Sequence, residues 1–203
     1  GHLCFSDDHP HESPDAAYAD RVRLGMECRR IVKERDPQTA IASEYINDAG
    51  LQPFDFTIPF GFGVHYGGNN FGELFRFTFP EYIVTTQYLN GPEYDRLRYG
   101  FVMGLRFFFA INWQHGHVGM LPRAFREYAA SCIRLLRKHA DPFHTGSFVD
   151  TEEIDVHNDT LFVKAYRSGK KLGVALWNPT DDAQECAVSE ISGKPFVFSS
   201  PQH

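Results

Sequence analysis

The sequence predicts an α/β fold: the second half of a (β/α)8, TIM-like barrel over residues 1–144, followed by a small antiparallel β domain over residues 145–203. Before residue 145, short apolar segments alternate with long amphipathic helical stretches, a pattern typical of parallel sheets. After it, strand-like segments are separated only by turns. In addition, Glu44 directly follows the apolar segment Ile41-Ala42-Ser43. The carboxyl end of a parallel strand is where barrel enzymes place their reacting groups.

The first part of the chain predicts five strands with helices between most of them. The strands at Leu3–Ser6 and Thr39–Glu44 flank a helix at Ala16–Glu34, and so long a crossover favours parallel pairing. The other elements predicted here are strands at Phe54–Pro59, Glu81–Thr86 and Phe108–Trp113, and helices at Phe71–Phe77, Glu93–Phe107 and Pro122–His139. Five strands are too few to close an eight-stranded barrel. We therefore expect a missing N-terminal half or a second copy of the chain at the open side, with a shorter open α/β sheet as the alternative.

The second part of the chain predicts strands alone, and no helix is expected after Asp141-Pro142. Turn residues stand at Asn158-Asp159, Ser168-Gly169 and Asn178-Pro179. The predicted strands are Phe148–Asp150, Ile154–Val156, Thr160–Tyr166, Leu172–Trp177 and Glu185–Val188. This pattern predicts an antiparallel sheet or a partial sandwich.

The composition and charge of the chain limit the kinds of partner that it can bind. With 203 residues, 42% of them hydrophobic, the chain can bury a core, and its net charge of −6 argues against a nucleic-acid partner. The basic group Arg29, Arg30, Lys33 and Arg35 is interspersed with glutamates, which favours a solvated helix face.

No apolar segment reaches the ~18 residues of a membrane span, and no signal peptide is recognisable, so the sequence assigns no location. Four widely spaced cysteines predict free thiols rather than a disulfide scaffold.

Glu44 is the leading candidate for a catalytic residue. Glycoside hydrolysis uses two carboxyl groups on either side of the bond to be cleaved. We expect Asp8 to be the second, since Asp7 and Asp8 follow the preceding predicted strand; Asp48 and Asp55 are the alternatives.

Histidines and aromatic residues near the predicted strand ends are the candidates for substrate binding. His9 and His11 alternate in a polar loop, where they suit sugar hydroxyl groups, or with a carboxylate would form part of a metal site. Arg76, among aromatic residues, is expected to hold a catalytic carboxylate ionised or to pair with Glu73 or Glu81. The predicted substrate-binding residues are His9, His11, His65, Tyr66, Arg76, Trp113 and His115.

Several segments also resemble one family. These are Cys4 with His9-x-His11, Ile41-Ala42-Ser43-Glu44, the segment from Glu73 to Glu81, and Ala175-Leu176-Trp177-Asn178. Together they resemble the later part of a bacterial family of large glycoside-hydrolase-like proteins, in which a barrel is followed by a β-sandwich. The resemblance implies carbohydrate hydrolysis on an oligosaccharide or glycoside, with Glu44 and the His9/His11 loop in the pocket.

Two other functions compete with hydrolysis by paired carboxylates. One is a noncatalytic carbohydrate-binding or interaction domain, in which the glycine- and aromatic-rich loop of residues 60–70 binds the ligand. The other is a metal-dependent hydrolase or isomerase that uses the histidines. The glycines of that loop do not follow the dinucleotide-binding spacing, and no phosphate-binding loop is present. We therefore expect no cofactor and no resident metal.

Overall fold

The structure is a computed structural model. It describes residues 5–6, 8–10, 12–44, 51–58, 71–86, 89–109, 117–191, 196 and 200. The chain divides into two compact units, residues 1–60 (unit 1) and residues 61–203 (unit 2). The described residues form a mixed α/β fold with five α-helices and small sheets, so the predicted class is confirmed. The predicted domain boundary at residue 144 stays a prediction.

Unit 1 contains one long helix and a short pair of parallel strands. Helix α1 spans Ala16–Arg35, β1 spans Ala42–Ser43 and β2 spans Phe56–Thr57. Ala42 lies opposite Phe56 in the parallel register. The predictions for these segments are confirmed in type, but the strands are shorter than predicted. Of the strand predicted at Leu3–Ser6, residues 3 and 4 lie outside the described part, and residues 5 and 6 are not in a strand.

One face of helix α1, with both polar and apolar residues, lies against the strand segment of unit 1. A Cβ placed on Gly25 would come within 2.9 Å of the Pro53 Cβ, so the helix approaches this segment closely. The apolar residues on its other faces, Leu24, Met26 and Ile31, are 65%, 43% and 53% exposed. None of the residues of α1 is fully buried.

The first elements that the structure describes in unit 2 are helix α2 (Phe71–Thr78), as predicted, and strand β3 (Ile83–Val84). Helix α3 (Tyr94–Val102) then connects β3 to a parallel segment around Arg106. The Arg106 N–H donates to the Val84 carbonyl at 2.9 Å, and the Thr86 N–H donates to the Arg106 carbonyl at 2.7 Å. This is a β–α–β connection of the kind expected from the sequence. Of the strand predicted at Phe108–Trp113, residues 108 and 109 are not in a strand and residues 110–113 lie outside the described part.

Helix α3 ends five residues earlier than predicted, because Gly104 terminates it. Gly104 has a φ of 63°, in the left-handed region that favours glycine. The Gly104 N–H donates to the Phe101 carbonyl, and the Leu105 N–H donates to the Gly100 carbonyl. These two bonds form a Schellman motif, which satisfies the last carbonyls of the helix.

Helix α4 (Arg123–Lys138) follows a 3-10 turn at Val118–Met120 and matches its predicted range closely. It buries its apolar face against α3. The core between them consists of Leu89, Leu97, Leu121, Phe125, Tyr128, Ala129 and Cys132. The rings of Tyr94 and Phe125 meet edge to face at 5.1 Å.

The described residues in the C-terminal part of unit 2 form antiparallel strands, as predicted, in two small sheets where one sheet or a partial sandwich was expected. Their strands are β4 (Ser147–Asp150), β5 (Ile154–Val156), β6 (Phe162–Ser168), β7 (Lys171–Trp177) and β8 (Val188–Glu190). One sheet has the order β4-β6-β7, and the other pairs β5 with β8. Buried Ile154, Val163 and Ala165 form their common core. Strand β8 begins three residues later than predicted.

The prediction that no helix follows Asp141-Pro142 is wrong. Helix α5 spans Ala140–Thr145, with Pro142 in the first turn, where a backbone N–H has no helical partner to lose. Glycines allow α5 to lie directly against the sheet. A Cβ on Gly173 of β7 would meet the Pro142 Cβ at 2.6 Å, and one on Gly146, directly after α5, would meet the Arg167 carbonyl oxygen of β6 at 2.8 Å as well as the Pro142 carbonyl oxygen at 2.4 Å.

Candidate functional site

Glu44 directly follows β1, at the carboxyl end of the parallel pair. The Ser43 carbonyl beside it accepts a hydrogen bond from the Ile58 N–H at 2.8 Å, which holds this end of the two strands together. The Thr57 hydroxyl also donates to the Ser43 carbonyl, at 3.1 Å. The Glu44 side chain is exposed. A solvent-accessible carboxylate therefore stands on backbone that is fixed by its neighbouring strand.

Asp55 lies at the opposite end of the same strand pair. Its backbone N–H donates to the Ile41 carbonyl at 2.7 Å, and its carboxylate accepts from the Ile41 N–H at 2.9 Å. At about 3.3 Å per residue, three strand positions separate this end from Glu44 by roughly 10 Å. Asp55, considered from the sequence as a partner for Glu44, therefore belongs to the amino end of the strands.

Two cations of α1 hold Asp55 in place. Arg29 reaches Asp55 at 2.7 Å and Lys33 at 2.8 Å, and the three side chains are 23–31% exposed. Burial works against ionisation of Asp55, but hydrogen bonds from Lys33, the Ile41 N–H and Arg29 outweigh it and lower the pKa of Asp55 to about 2. Asp55 is thus an anion at neutral pH that joins helix to strand. It acts as a structural carboxylate.

The prediction of a solvated basic face on α1 holds for one part of the basic group and fails for another. Arg30 pairs with Glu27 and with Glu34 on the exposed side of the helix. The prediction of a solvated face is therefore confirmed for Arg30. It is wrong for Arg29 and Lys33, which face the strands.

Asp8 and His9 lie exposed in the turn before α1. The Asp8 N–H donates to the Ser6 hydroxyl at 3.2 Å. Both residues belong to unit 1, like Glu44, and the catalytic pairing of Asp8 with Glu44 stays a prediction. Five other predicted site residues lie outside the described part of the chain: His11, His65, Tyr66, Trp113 and His115.

Within the described ranges, no three His, Cys, Asp or Glu side chains are grouped as a metal site would require. The metal alternative based on the sequence depended on His9 together with His11. Since His11 lies outside these ranges, that alternative is untested. Cys28, Cys132 and Cys186 are free thiols, as predicted.

Arg76 belongs to unit 2 and is 5% exposed. Its Nη1 donates to the Tyr82 carbonyl at 2.8 Å, and its Cζ lies 5.6 Å from the centre of the Phe148 ring. Among the described residues, no carboxylate forms an ion pair with it, so the predicted pairs with Glu73 and Glu81 are not formed. The Nε of Arg76 is buried and has no hydrogen-bond partner in the same part of the chain.

A cavity of about 180 Å³ opens beside Arg76. Arg106, from the segment parallel to β3, and His144, from α5, also line it. Sequence reasoning missed both residues. The only available signal was an arginine within the apolar segment Leu105-Arg106-Phe107-Phe108-Phe109, since a buried arginine needs an acceptor.

A larger cavity of about 870 Å³ lies in unit 2 between the end of α4, α5 and β7. Its walls include Leu136, Phe143, Leu172 and Val174, and the Lys171–Asp141 ion pair lies at its edge. Arg76, the predicted substrate-binding residue that the structure describes in unit 2, does not line it. An apolar pocket of this size can accept a small molecule, but its lining suggests no chemical class.

Over the residues described, no helix combines the length and the apolar character needed to cross a membrane. Compared with known proteins, the chain matches no family model, no curated protein and no solved structure.

Proposed function

We propose that the chain is a carbohydrate-active protein, a glycoside hydrolase or the C-terminal portion of one, that uses paired carboxylates. Glu44 is one of the two carboxyl groups and Asp8 is the other. The substrate is an oligosaccharide or a glycoside, held by the histidine and aromatic side chains near the strand ends.

The position of Glu44 carries this proposal. Its support is an exposed carboxylate at the carboxyl end of β1, which pairs in parallel with β2. Reacting groups occupy this end of the strands in β/α barrels. The contacts of Asp55 add to the support. Because Arg29 and Lys33 hold Asp55 at the amino end, Asp55 is a poor candidate for the second carboxylate, and Asp8 becomes a stronger one.

The finer architecture belongs to the same proposal. The parallel pair of unit 1 and the β–α–β connection of unit 2 are the kinds of unit from which a (β/α)8 barrel is built. We propose that they are parts of such a barrel, in its second half, and that the antiparallel strands after residue 145 are the appended β domain.

The decisive experiment replaces Glu44 by glutamine. Glu44→Gln keeps nearly the same shape but cannot transfer a proton or act as a nucleophile. Turnover of a panel of 4-nitrophenyl glycosides and oligosaccharides should fall by about 10²- to 10⁴-fold, the usual contribution of a positioned acid or base. Asp8→Asn should cause a loss in the same range. Glu34→Gln is the matched control, because Glu34 is an exposed glutamate of unit 1 that pairs with Arg30 on α1.

Each outcome separates the functions in competition. Unchanged turnover in Glu44→Gln removes Glu44 from catalysis. Saturable oligosaccharide binding by the wild-type chain, with no hydrolysis of any substrate, supports a noncatalytic binding domain instead. Hydrolysis that is abolished by a chelator and restored by a divalent cation supports the metal-dependent alternative.

A further inference from the structure

The described lining of the cavity of about 180 Å³ in unit 2 carries more basic than acidic side chains. Arg76 is almost completely buried, and Arg106 and His144 are half-buried. Burial lowers the pKa of Arg76, and the nearby positive charge of Arg106 lowers it further. Tyr166 and Glu81 have the opposite effect on this pKa. Burial lowers the pKa of His144 as well, and Arg106 and Arg137 add to that effect.

The protein satisfies this cluster only in part. Arg76 gives one hydrogen bond to the Tyr82 carbonyl, and its buried Nε–H has no acceptor among the described residues. Among the described residues, the Arg106 side chain donates to the His144 carbonyl alone, with its Nη2 at 3.3 Å. A guanidinium group has five N–H donors, so most of the donors in this cluster lack a protein acceptor within the described chain. Leaving a buried charged donor unpaired is costly, and proteins rarely keep one without a use.

Among the described residues, Glu81 is the one carboxylate in the cavity lining, and it does not neutralise the cluster. It is exposed, and its Oε1 accepts from the Ser147 hydroxyl at 3.3 Å. Within the described residues it forms no ion pair with either arginine. With Arg76 and Arg106 charged and His144 neutral, the cavity therefore carries one net positive charge.

We infer that this cavity is a binding site for a small oxyanion, namely a phosphoryl or carboxylate group, held by the guanidinium groups of Arg76 and Arg106. The fork of N–H donors on arginine matches the paired oxygens of both kinds of group. At roughly 30 Å³ for each water molecule, the volume corresponds to about six waters, which is room for one such group with some of its hydration. The Phe148 ring beneath Arg76 supports the guanidinium plane from the apolar side.

Titration of the full chain with inorganic phosphate and with acetate, at constant ionic strength set by NaCl, tests the inference. Binding is read by isothermal calorimetry and by the midpoint of thermal unfolding. We expect saturable binding of at least one of the two anions. The anion that binds more tightly identifies the class, phosphoryl or carboxylate.

Three variants locate the site. Arg106→Gln should weaken binding by roughly tenfold or more, the usual contribution of a charge-assisted hydrogen bond. Thr145→Glu leaves both arginines intact and places a negative charge on an exposed residue of the cavity lining, so it should also weaken binding severalfold or more. Arg123→Gln removes the same charge as Arg106→Gln, from a side chain on α4 that is 83% exposed, and should bind as the wild type does.

The inference is overturned if neither anion binds saturably. It is also overturned if both Arg106→Gln and Thr145→Glu, folded as judged by circular dichroism, bind as tightly as the wild type. Equal weakening in Arg123→Gln would contradict it too, because that result would show a response to net charge alone.

Discussion

Replacing Asp55 by asparagine tests whether one anion holds the strand pair that carries Glu44. Asp55 bonds to Arg29, to Lys33 and to the Ile41 N–H, so the substitution removes the charge that these groups share. Asparagine keeps the size of the side chain. The difference between the two proteins therefore reports the ionic contribution of Asp55 to the stability of unit 1.

The size of that contribution follows from the pKa of Asp55, which falls from 3.8 to about 2 in the folded protein. At 1.36 kcal/mol per pH unit, this difference corresponds to about 2.5 kcal/mol. The Asp55 side chain is 23% exposed, and solvent screening reduces the figure, so we expect Asp55→Asn to destabilise the folded state by about 1–2 kcal/mol at pH 7.

The loss should depend on pH in a defined way. Because the pKa of Asp55 is lower in the folded than in the unfolded state, its contribution is complete above about pH 4 and disappears as the pH falls through about 2. The wild type and Asp55→Asn should therefore differ in stability at pH 7 and converge near pH 2.

Urea unfolding followed by circular dichroism from pH 2 to pH 7 measures the difference, and carbon-13 NMR of the Asp55 carboxyl group measures its pKa directly. Asp20→Asn is the matched control, because Asp20 pairs with Arg23 on the exposed side of α1 and such pairs contribute little. A carboxyl group that titrates near 4, or a loss in Asp55→Asn no larger than in Asp20→Asn, would refute the reasoning.

Two further predictions concern unit 2. Gly104→Ala should destabilise the protein by about 2 kcal/mol or more in urea unfolding, because it combines a left-handed backbone, worth roughly 1–2 kcal/mol, with a Cβ only 2.8 Å from the Tyr166 ring. Gly169→Ala, with a φ of 56° and open space around the Cβ, should lose only the backbone part, and equal losses would contradict the packing argument. Burial raises the pKa of Cys132 to about 11, against the opposing effect of the Tyr128 hydrogen bond, so at pH 8 Ellman's reagent should modify exposed Cys28 in the native protein but reach Cys132 only after unfolding. Mass spectrometry of the labelled peptides assigns each modified thiol, and rapid labelling of Cys132 in the native protein would disprove this.

Where local pattern decides the structure, sequence reasoning predicted it well. Helix α4 follows from the helical spacing of its apolar residues, of which Phe125, Tyr128 and Leu136 lie on its buried face. The β6–β7 hairpin follows from two apolar segments around Ser168-Gly169-Lys170, since a glycine with positive φ closes the turn. In both elements, residues that are close together in the sequence specify the conformation.

The structure differs from the prediction where a residue distant in the sequence determines the conformation. Arg29 and Lys33 stand among glutamates on α1, so their position along the chain suggests solvent, but Asp55 draws them to the strands. Helix α3 stops early because its end is a Schellman turn at Gly104, in contact with Tyr166 more than sixty residues later. The same limit applies to the candidate site: the position of Glu44 at a strand end was predictable, whereas the cavity between Arg76, Arg106 and His144 depends on three segments brought together by folding.

The position of Pro142 against the sheet restricts which residues can replace the neighbouring glycines in evolution. Positions 146 and 173 each have no room for a side chain, because α5 occupies the space of the missing Cβ atoms. Substitution at Gly173 therefore requires α5 to move away from β7, and substitution at Gly146 requires the end of α5 to rearrange near the Arg167 carbonyl of β6. Either change would alter His144 and Thr145, which line the arginine cavity. We expect positions 146 and 173 to accept only glycine in any homologue that retains this helix. By contrast, position 169 has a φ of 56° but open space around its Cβ, so it should accept asparagine or aspartate, which tolerate the left-handed region.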